Sequence, residues 1–434
     1  MAEREPLVPE ATVTISEEAR RNSKAVVCCV GWSACLVVCA GLFYLYFVLL
    51  NIFSSAAIEG LLVLNETSVD EFCELPPRSL EQLTKTFRMP GCEYLSDRTD
   101  EELKTCGEPC YSGEFLKEMQ EFNKANPGEV VKYKSRHQEG FEDAELGGWW
   151  MPAPTKGSSR APTIVMQSGF SSNSNKYRQQ VAAFQLRKMG FSVLMNNFRD
   201  HCYSKNTSQR IYQWGYSYPY DVLGAWDYAV NDPDGKLGGK LAKEKVGLMG
   251  FSKGGYTVLN CFGLEGDVPG VWADSPPITL REVLAYSAQQ KLSEYGVPPV
   301  IAAGMVKPFI DNAMSAVLTY ASEYEVDPQE HEPMAVLPQG PPTKRPIQLV
   351  RNVHDELVIS AWGEELEEFL GGQQDKYETS VKVYDEICEG QLSTEDHCAD
   401  HLRDREGYSE LLCNFWTKAF KLEDSFCAGK HSGK

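Results

Sequence analysis

Basic residues are scarce in this chain: 42 Lys and Arg stand against 61 Asp and Glu over 434 residues, a net charge of −19. That argues against a nucleic-acid partner, because phosphate binding needs a basic surface. Internal repeats and long low-complexity tracts are absent, so a repeat array is not indicated. Charge is missing altogether from Ala25 to Leu50, "AVVCCVGWSACLVVCAGLFYLYFVLL". Lys and Arg are then missing until Arg78, although Arg4, Arg20, Arg21 and Lys24 precede the run. Histidine is missing from between Cys73, Cys92, Cys106 and Cys110, which weighs against a zinc site there.

What is present is largely ordinary globular protein, with 42% hydrophobic and 24% charged residues. The length suits one large α/β domain with appendages. The uncharged run is the exception: as a helix it would extend about 39 Å, enough to cross a hydrocarbon core of about 30 Å. A buried helix and a cleaved signal peptide are the other readings. The polar, partly acidic leader before it fits a signal peptide poorly. The positive-inside rule then puts residues 1–24 in the cytosol and the bulk of the chain outside or in a lumen. Two glycosylation sequons, at Asn65 and Asn206, fall on that side. Of 14 cysteines, ten lie beyond the run, an even number that suggests some disulfides in an exported domain; free buried thiols are the alternative. The expected organisation is a cytosolic tail (1–24), a transmembrane signal anchor (25–50), a cysteine-containing stalk (51–125) and one catalytic-size domain (126–434). Within that domain a helical cap insertion is expected over 276–344.

After Asn126-Pro127-Gly128 the chain alternates strand and helix. "EVVKYKSR" and "LGGWWMP" read as two opening strands. "TIVMQSG", "FSVLMNN", "KVGLMGF", "GVWADS", "IQLVRN" and "VKVYDEI" are continuous apolar runs, as expected of parallel strands buried on both faces. Helix-like stretches separate most of them, predicting βαβ units with helices on both faces. Ligands in such sheets bind beyond the carboxyl ends of the strands.

One of those ends carries "GLMGFSKGG". Ser252 sits between Gly250 and Gly254, after a strand and before a helix, the setting of a nucleophile elbow. A plain Gly/Ser turn is the rival reading. A serine hydroxyl needs a general base, and that base needs an orienting carboxylate. Asp355 follows the strand "RPIQLVRN", and Asp274 follows "GVWA" as its competitor. The base comes from after the last strand, as His397 or His401. Ser252, Asp355 and His397 give the chain order Ser…Asp…His.

On these motifs, residues 128–420 resemble an α/β-hydrolase of the serine-aminopeptidase-like (S33-type) group. The matching pieces are "GFSKGG", the "SGF" turn at 168–170, "FRDHCYS" at 198–204, "VHDELV" and "HCADHLRDREGY". The resemblance implies an eight-stranded, mostly parallel sheet with helices on both faces and a helical cap. It implies that the backbone amides of Phe170 and Lys253 form an oxyanion hole, although Gln167-Ser168 stands where many members have His-Gly. It also favours His397, eleven residues before Tyr408, over His401. Asp200 and His201 read as architectural. No cofactor or metal is expected. An acyl or lipid-like ester is the expected substrate class. Met305, Val306, Phe309, Met314, Val317 and Leu318 of the insertion are candidates to line a pocket for an acyl or aromatic group, with a helix packed on the sheet as the other reading. The reading from another class is a non-catalytic binding or adhesion protein on the same scaffold.

Overall fold

The computed structural model describes residues 113–140, 143–154, 160–175, 177–205, 212–302, 328–385 and 397–427, together with isolated positions elsewhere. Packing divides the chain into two units, Met1–Ala56 and Ala57–Lys434. In the first, only Ala40, Gly41 and Tyr44 are described; all three are helical and exposed. The expected transmembrane run therefore lies almost wholly outside the described residues. Among those described, no helix is long and apolar enough to cross a membrane. Asn65 and Asn206 also lie outside them.

In the second unit, eight strands form one sheet in the order β1-β2-β4-β3-β5-β6-β7-β8. They are β1 (Glu129–Lys134), β2 (Glu145–Met151), β3 (Thr163–Gln167), β4 (Ser192–Asn196), β5 (Val246–Phe251), β6 (Val271–Asp274), β7 (Arg345–Asn352) and β8 (Tyr377–Tyr384). The β1–β2 and β2–β4 pairs are antiparallel and the remaining pairs parallel. Six overlap the apolar runs read from sequence, and β1 and β2 overlap the two opening strands. β3, β4, β5 and β6 are buried along their whole length, while the edge strands β1 and β8 alternate with solvent. This is the difference between a strand covered on both faces and one at a margin.

The longer helices are α1 (Gly113–Ala125), α2 (Tyr177–Met189), α3 (Tyr218–Asn231), α4 (Lys253–Leu264), α5 (Leu280–Glu294), α6 (Ser360–Gly371) and α7 (Arg405–Ala419). Ala182, Ala183 and Leu186 of α2 pack with Tyr408, Leu412 and Trp416 of α7 on Ile164, Met166, Val193, Met195, Met249 and Phe251. Strand side chains alternate. The intervening Val165, Leu194 and Leu248, also fully buried, therefore face the other side, where α3 and α4 pack on each other and on the sheet. Helices thus cover both faces. Close approach sets one residue type here: a Cβ on Gly247 would lie 2.2 Å from the Trp416 ring.

α1 was expected in the stalk. Its Phe115, Leu116 and Met119 pack instead with Val181 and Phe184 of α2 and with Ala399 and Leu402. Phe115 and Phe122 both meet the Phe184 ring edge-on, at 5.6 and 5.2 Å. Disulfides join Cys73 to Cys202 and Cys413 to Cys427. Cys261 and Cys398 are free and buried. Cys92, Cys106, Cys110 and Cys388 lie outside the described residues.

Candidate active site

The geometry begins at the turn between β5 and α4. Ser252 has φ 53° and ψ −124°, a conformation that L-residues rarely adopt. Such strain costs on the order of 1–3 kcal/mol and persists only where the surroundings enforce it. Here they do. The Ser252 amide donates to the Asp274 carbonyl at 2.7 Å, and the Ser252 carbonyl accepts from the Tyr256 amide at 3.0 Å. The two flanking glycines are required by contact. A Cβ on Gly250 would lie 2.2 Å from the Gly254 carbonyl oxygen, and one on Gly254 would lie 2.4 Å from that of Gln167. The turn is thus folded back on itself and pressed against the end of β3.

Asp355 lies three residues beyond β7. Its Oδ1 accepts the amides of Leu357 and Val358, both at 2.9 Å, and its Oδ2 faces His397 Nδ1 at 2.7 Å. Burial works against the carboxylate's charge. The adjacent imidazole and the two amides outweigh it and hold Asp355 below its usual range. With Nδ1–H donating to Asp355, the free lone pair of His397 is on Nε2. The chain turns sharply after it, since Cys398 has φ 51°, and the Cys398 thiol lies 3.6 Å from Nε2. Arg178 of α2 braces this segment by donating from its guanidinium to the His397 carbonyl.

Ser252 and His397 line one cavity of about 440 Å³. Phe170, Trp214, Pro277, Val283, Leu357 and Val358 supply its apolar wall, and Arg178 and Gln179 its polar side. Gly169, Phe170 and Lys253 line it as well, so the expected oxyanion turn and the start of α4 border the same space as the serine. The turn lies close in: a Cβ on Gly169 would be 3.2 Å from Ser252 Cβ. Val283 and Ser287 come from α5, within the expected cap. Of the six apolar candidates for the pocket wall, Val306 is buried and is not among the residues that line the cavity. Met305, Phe309, Met314, Val317 and Leu318 lie outside the described residues.

The competitors sit elsewhere. Asp274 ends β6 and is fully buried; its Oδ2 accepts from the Tyr408 hydroxyl at 2.7 Å. Burial, then the nearby Asp400, pushes its carboxyl up to about 7. His401 is also fully buried, with Nε2 bonded to the Arg178 carbonyl at 2.8 Å. Burial drives its imidazole down to about 3. Neither lines the cavity. Asp200 and His201 are buried and away from it too. Among the described residues, no cluster of His, Cys, Asp and Glu could hold a metal ion. Sequence reasoning missed Arg178, which lies in an unremarkable helical stretch. It also missed the inward turn of the Lys253 side chain, of which "GFSKGG" gives no sign.

No family model and no curated protein matches the chain. Among solved structures it is similar to a Pyrococcus furiosus esterase, at 19% identity and a TM-score of 0.46 over 70% of this chain and 94% of that one. It is also similar to an α/β hydrolase from Penicillium sp. sh18, at 14% identity and 0.46, covering 68% and 100%. A third is an acylaminoacyl peptidase solved with a chloromethyl ketone, at 17% identity and 0.47, covering 68% of this chain and 42% of that one. These are folds the chain is similar to; its chemistry rests on its own side chains.

Proposed function

We propose that the protein is a serine hydrolase in which Ser252, His397 and Asp355 form the catalytic triad. The observation that carries this reading is the 2.7 Å His397–Asp355 pair bordering the same cavity as a strained, glycine-flanked Ser252. Ser252 Oγ attacks the substrate carbonyl as His397 Nε2 takes its proton. Asp355 holds the Nδ1–H tautomer and stabilises the imidazolium. The tetrahedral oxyanion is received by the backbone amides of Phe170 and Lys253. His397 then protonates the leaving group, and water, deprotonated by the same imidazole, releases the acyl-enzyme. These steps need no metal or cofactor.

The largely apolar wall favours an acyl ester or lipid-like substrate, with a thioester or amide as the chemical relatives. The chain is further proposed to be anchored by residues 25–50 with this domain outside the cytosol, as a glycoprotein. The Cys73–Cys202 and Cys413–Cys427 disulfides support an oxidising compartment. The test is labelling by a fluorophosphonate probe with an ester panel of graded acyl length. Wild type should label and turn over, and Ser252→Ala should do neither. An unlabelled, correctly folded wild type would leave the binding-protein reading in its place.

A further inference from the structure

Lys253 follows the proposed nucleophile and opens α4, yet its side chain is fully buried. Its Nζ lies 4.3 Å from the centre of the Tyr212 ring, 4.4 Å from Tyr218, 4.8 Å from Phe198 and 5.3 Å from Phe170. Among the described residues, no acceptor lies within hydrogen-bonding distance of Nζ. A buried ammonium without an acceptor is costly. Aromatic faces attract a cation through the ring quadrupole, and more strongly when water is excluded. A residue needed only to fill this space would be a methionine or leucine.

One of the four rings belongs to the turn that carries the second oxyanion amide. Phe170 packs on Tyr212 at 4.2 Å and on Trp214 at 6.0 Å, and Trp214 meets Tyr256 of α4 edge-on at 5.8 Å. The Phe170 ring is therefore one wall of the box that encloses Nζ. Lys253 touches the site twice: its backbone amide opens α4 beside Ser252, and its ammonium holds the residue that bears the other amide.

We propose that Lys253 is a positioning residue whose ammonium, enclosed by Phe170, Phe198, Tyr212 and Tyr218, fixes the Phe170 turn so that the two oxyanion amides stay aligned. This rests on the serine-hydrolase reading above. The contribution is to the transition state, because the amides bind charge only as it develops. Loss of the ammonium should lower kcat and leave KM nearly unchanged.

The pin is sensitive to pH. Burial pulls the Lys253 ammonium well below the usual lysine range, against the opposing pull of Asp221 on α3. Asp221 is itself paired with Arg199, at 2.7 Å to Nη2. The other groups facing the box are the phenols of Tyr212 and Tyr218, His201 edge-on to both, and Asp200 near Tyr218. Burial raises the Tyr218 phenol, which keeps that ring neutral through the alkaline range. Lys253 therefore loses its charge earlier than an ordinary lysine as pH rises, and kcat should fall with it on an alkaline limb.

The experiment compares full-length wild type with Lys253→Met, reading kcat and KM on a p-nitrophenyl ester, fluorophosphonate labelling rate from pH 6 to 10, and Tm. The expected result is a Met variant with Tm at or above wild type, kcat lower by about tenfold to a hundredfold, KM within twofold, and no alkaline limb. A Met variant with unchanged kcat, or with the wild-type limb, overturns the proposal. Should the variant not fold, a wild type that labels at Ser252 without any alkaline fall in rate overturns it equally. Failure of the hydrolase reading looks different: wild type then labels at no pH.

Discussion

Two histidine–aspartate settings lie side by side in this molecule. His397 and Asp355 border the cavity; His401 and Asp274 sit behind it, joined through Tyr408, whose ring is 5.4 Å from His401 and whose hydroxyl bonds Asp274. The residue types are the same, the histidines are four apart, and both aspartates stand at or just beyond the end of a strand. They differ in what each ring nitrogen and each carboxylate faces. His397 has a carboxylate on Nδ1 and the Cys398 thiol 3.6 Å from Nε2, and it lines the cavity. His401 uses Nε2 on a backbone carbonyl and is held neutral by burial, at about 3. Asp355 is kept ionised by an imidazole and two amides, whereas Asp274 is pushed up to about 7. A histidine–carboxylate constellation becomes a proton-transfer device only where one nitrogen is left open to substrate and the carboxylate stays charged.

The largest expected effects test this contrast on rate. His397→Ala should lower kcat/KM by about 10⁴ to 10⁶, as loss of a triad base does. His401→Gln should keep at least a tenth of the wild-type value, with a lowered Tm. Asp355→Asn should cost about 10⁴ by losing the tautomer control on His397. Asp274→Asn should stay within about threefold, because its partner is a phenol outside the cavity. Ester turnover and fluorophosphonate labelling of the four variants decide the matter. A reversal within either pair would move the catalytic role to the buried setting.

Choosing between these settings was beyond sequence spacing. Both histidines follow the final strand, and "STEDHCADHLRD" offers no periodicity that separates them. The loop-like stretch that carries His397 soon after the strand and the resemblance both favour it, whereas the folded chain separates the two by burial and partner. The sheet was more legible, because a strand buried on both faces must be written as a continuous apolar run, and the flanking glycines of Ser252 are forced by contacts under 2.5 Å. Features set by distant segments were not legible. Phe115, Leu116 and Met119 make α1 amphipathic, but that Phe184 and Leu402 would receive them is decided by tertiary packing. The pairing of Cys73 with Cys202, 129 residues away, is of the same kind. So is the enclosure of Lys253 by rings from residues 170 to 218.

A smaller effect sharpens the buried setting. The Tyr408 hydroxyl accepts from Trp272 Nε1 at 3.1 Å while donating to Asp274 at 2.7 Å. Tyr408→Phe keeps the ring packing and leaves a buried donor and a buried carboxylate oxygen without that partner. Such losses cost about 1–3 kcal/mol. Denaturant midpoints should fall accordingly while ester turnover per folded molecule stays near wild type. A parallel loss of turnover would show that the buried setting reaches into the chemistry.

The smallest effect concerns pH, where the buried pair opposes itself. His401 has a folded value near 3 against an ordinary value of 6.5, so between these the unfolded chain binds the extra proton and stability falls as pH falls. Asp274 has a folded value near 7 against 3.8, so between these the folded chain binds the extra proton and stability rises as pH falls. Each slope approaches about 1.4 kcal/mol per pH unit in mid-window, and the windows overlap from about pH 4 to 6.5. In wild type the two slopes largely cancel there. Single substitutions should expose them with opposite sign. Relative to wild type, His401→Gln should gain stability as pH is lowered from 6.5 to 4.5, and Asp274→Asn should lose it. The double variant should return to the wild-type slope even though its absolute stability differs. Urea midpoints at four pH values across that window measure all three differences. If both single variants shifted in the same direction, at least one of these two buried groups would be charged in the folded chain, where its burial dictates the neutral form.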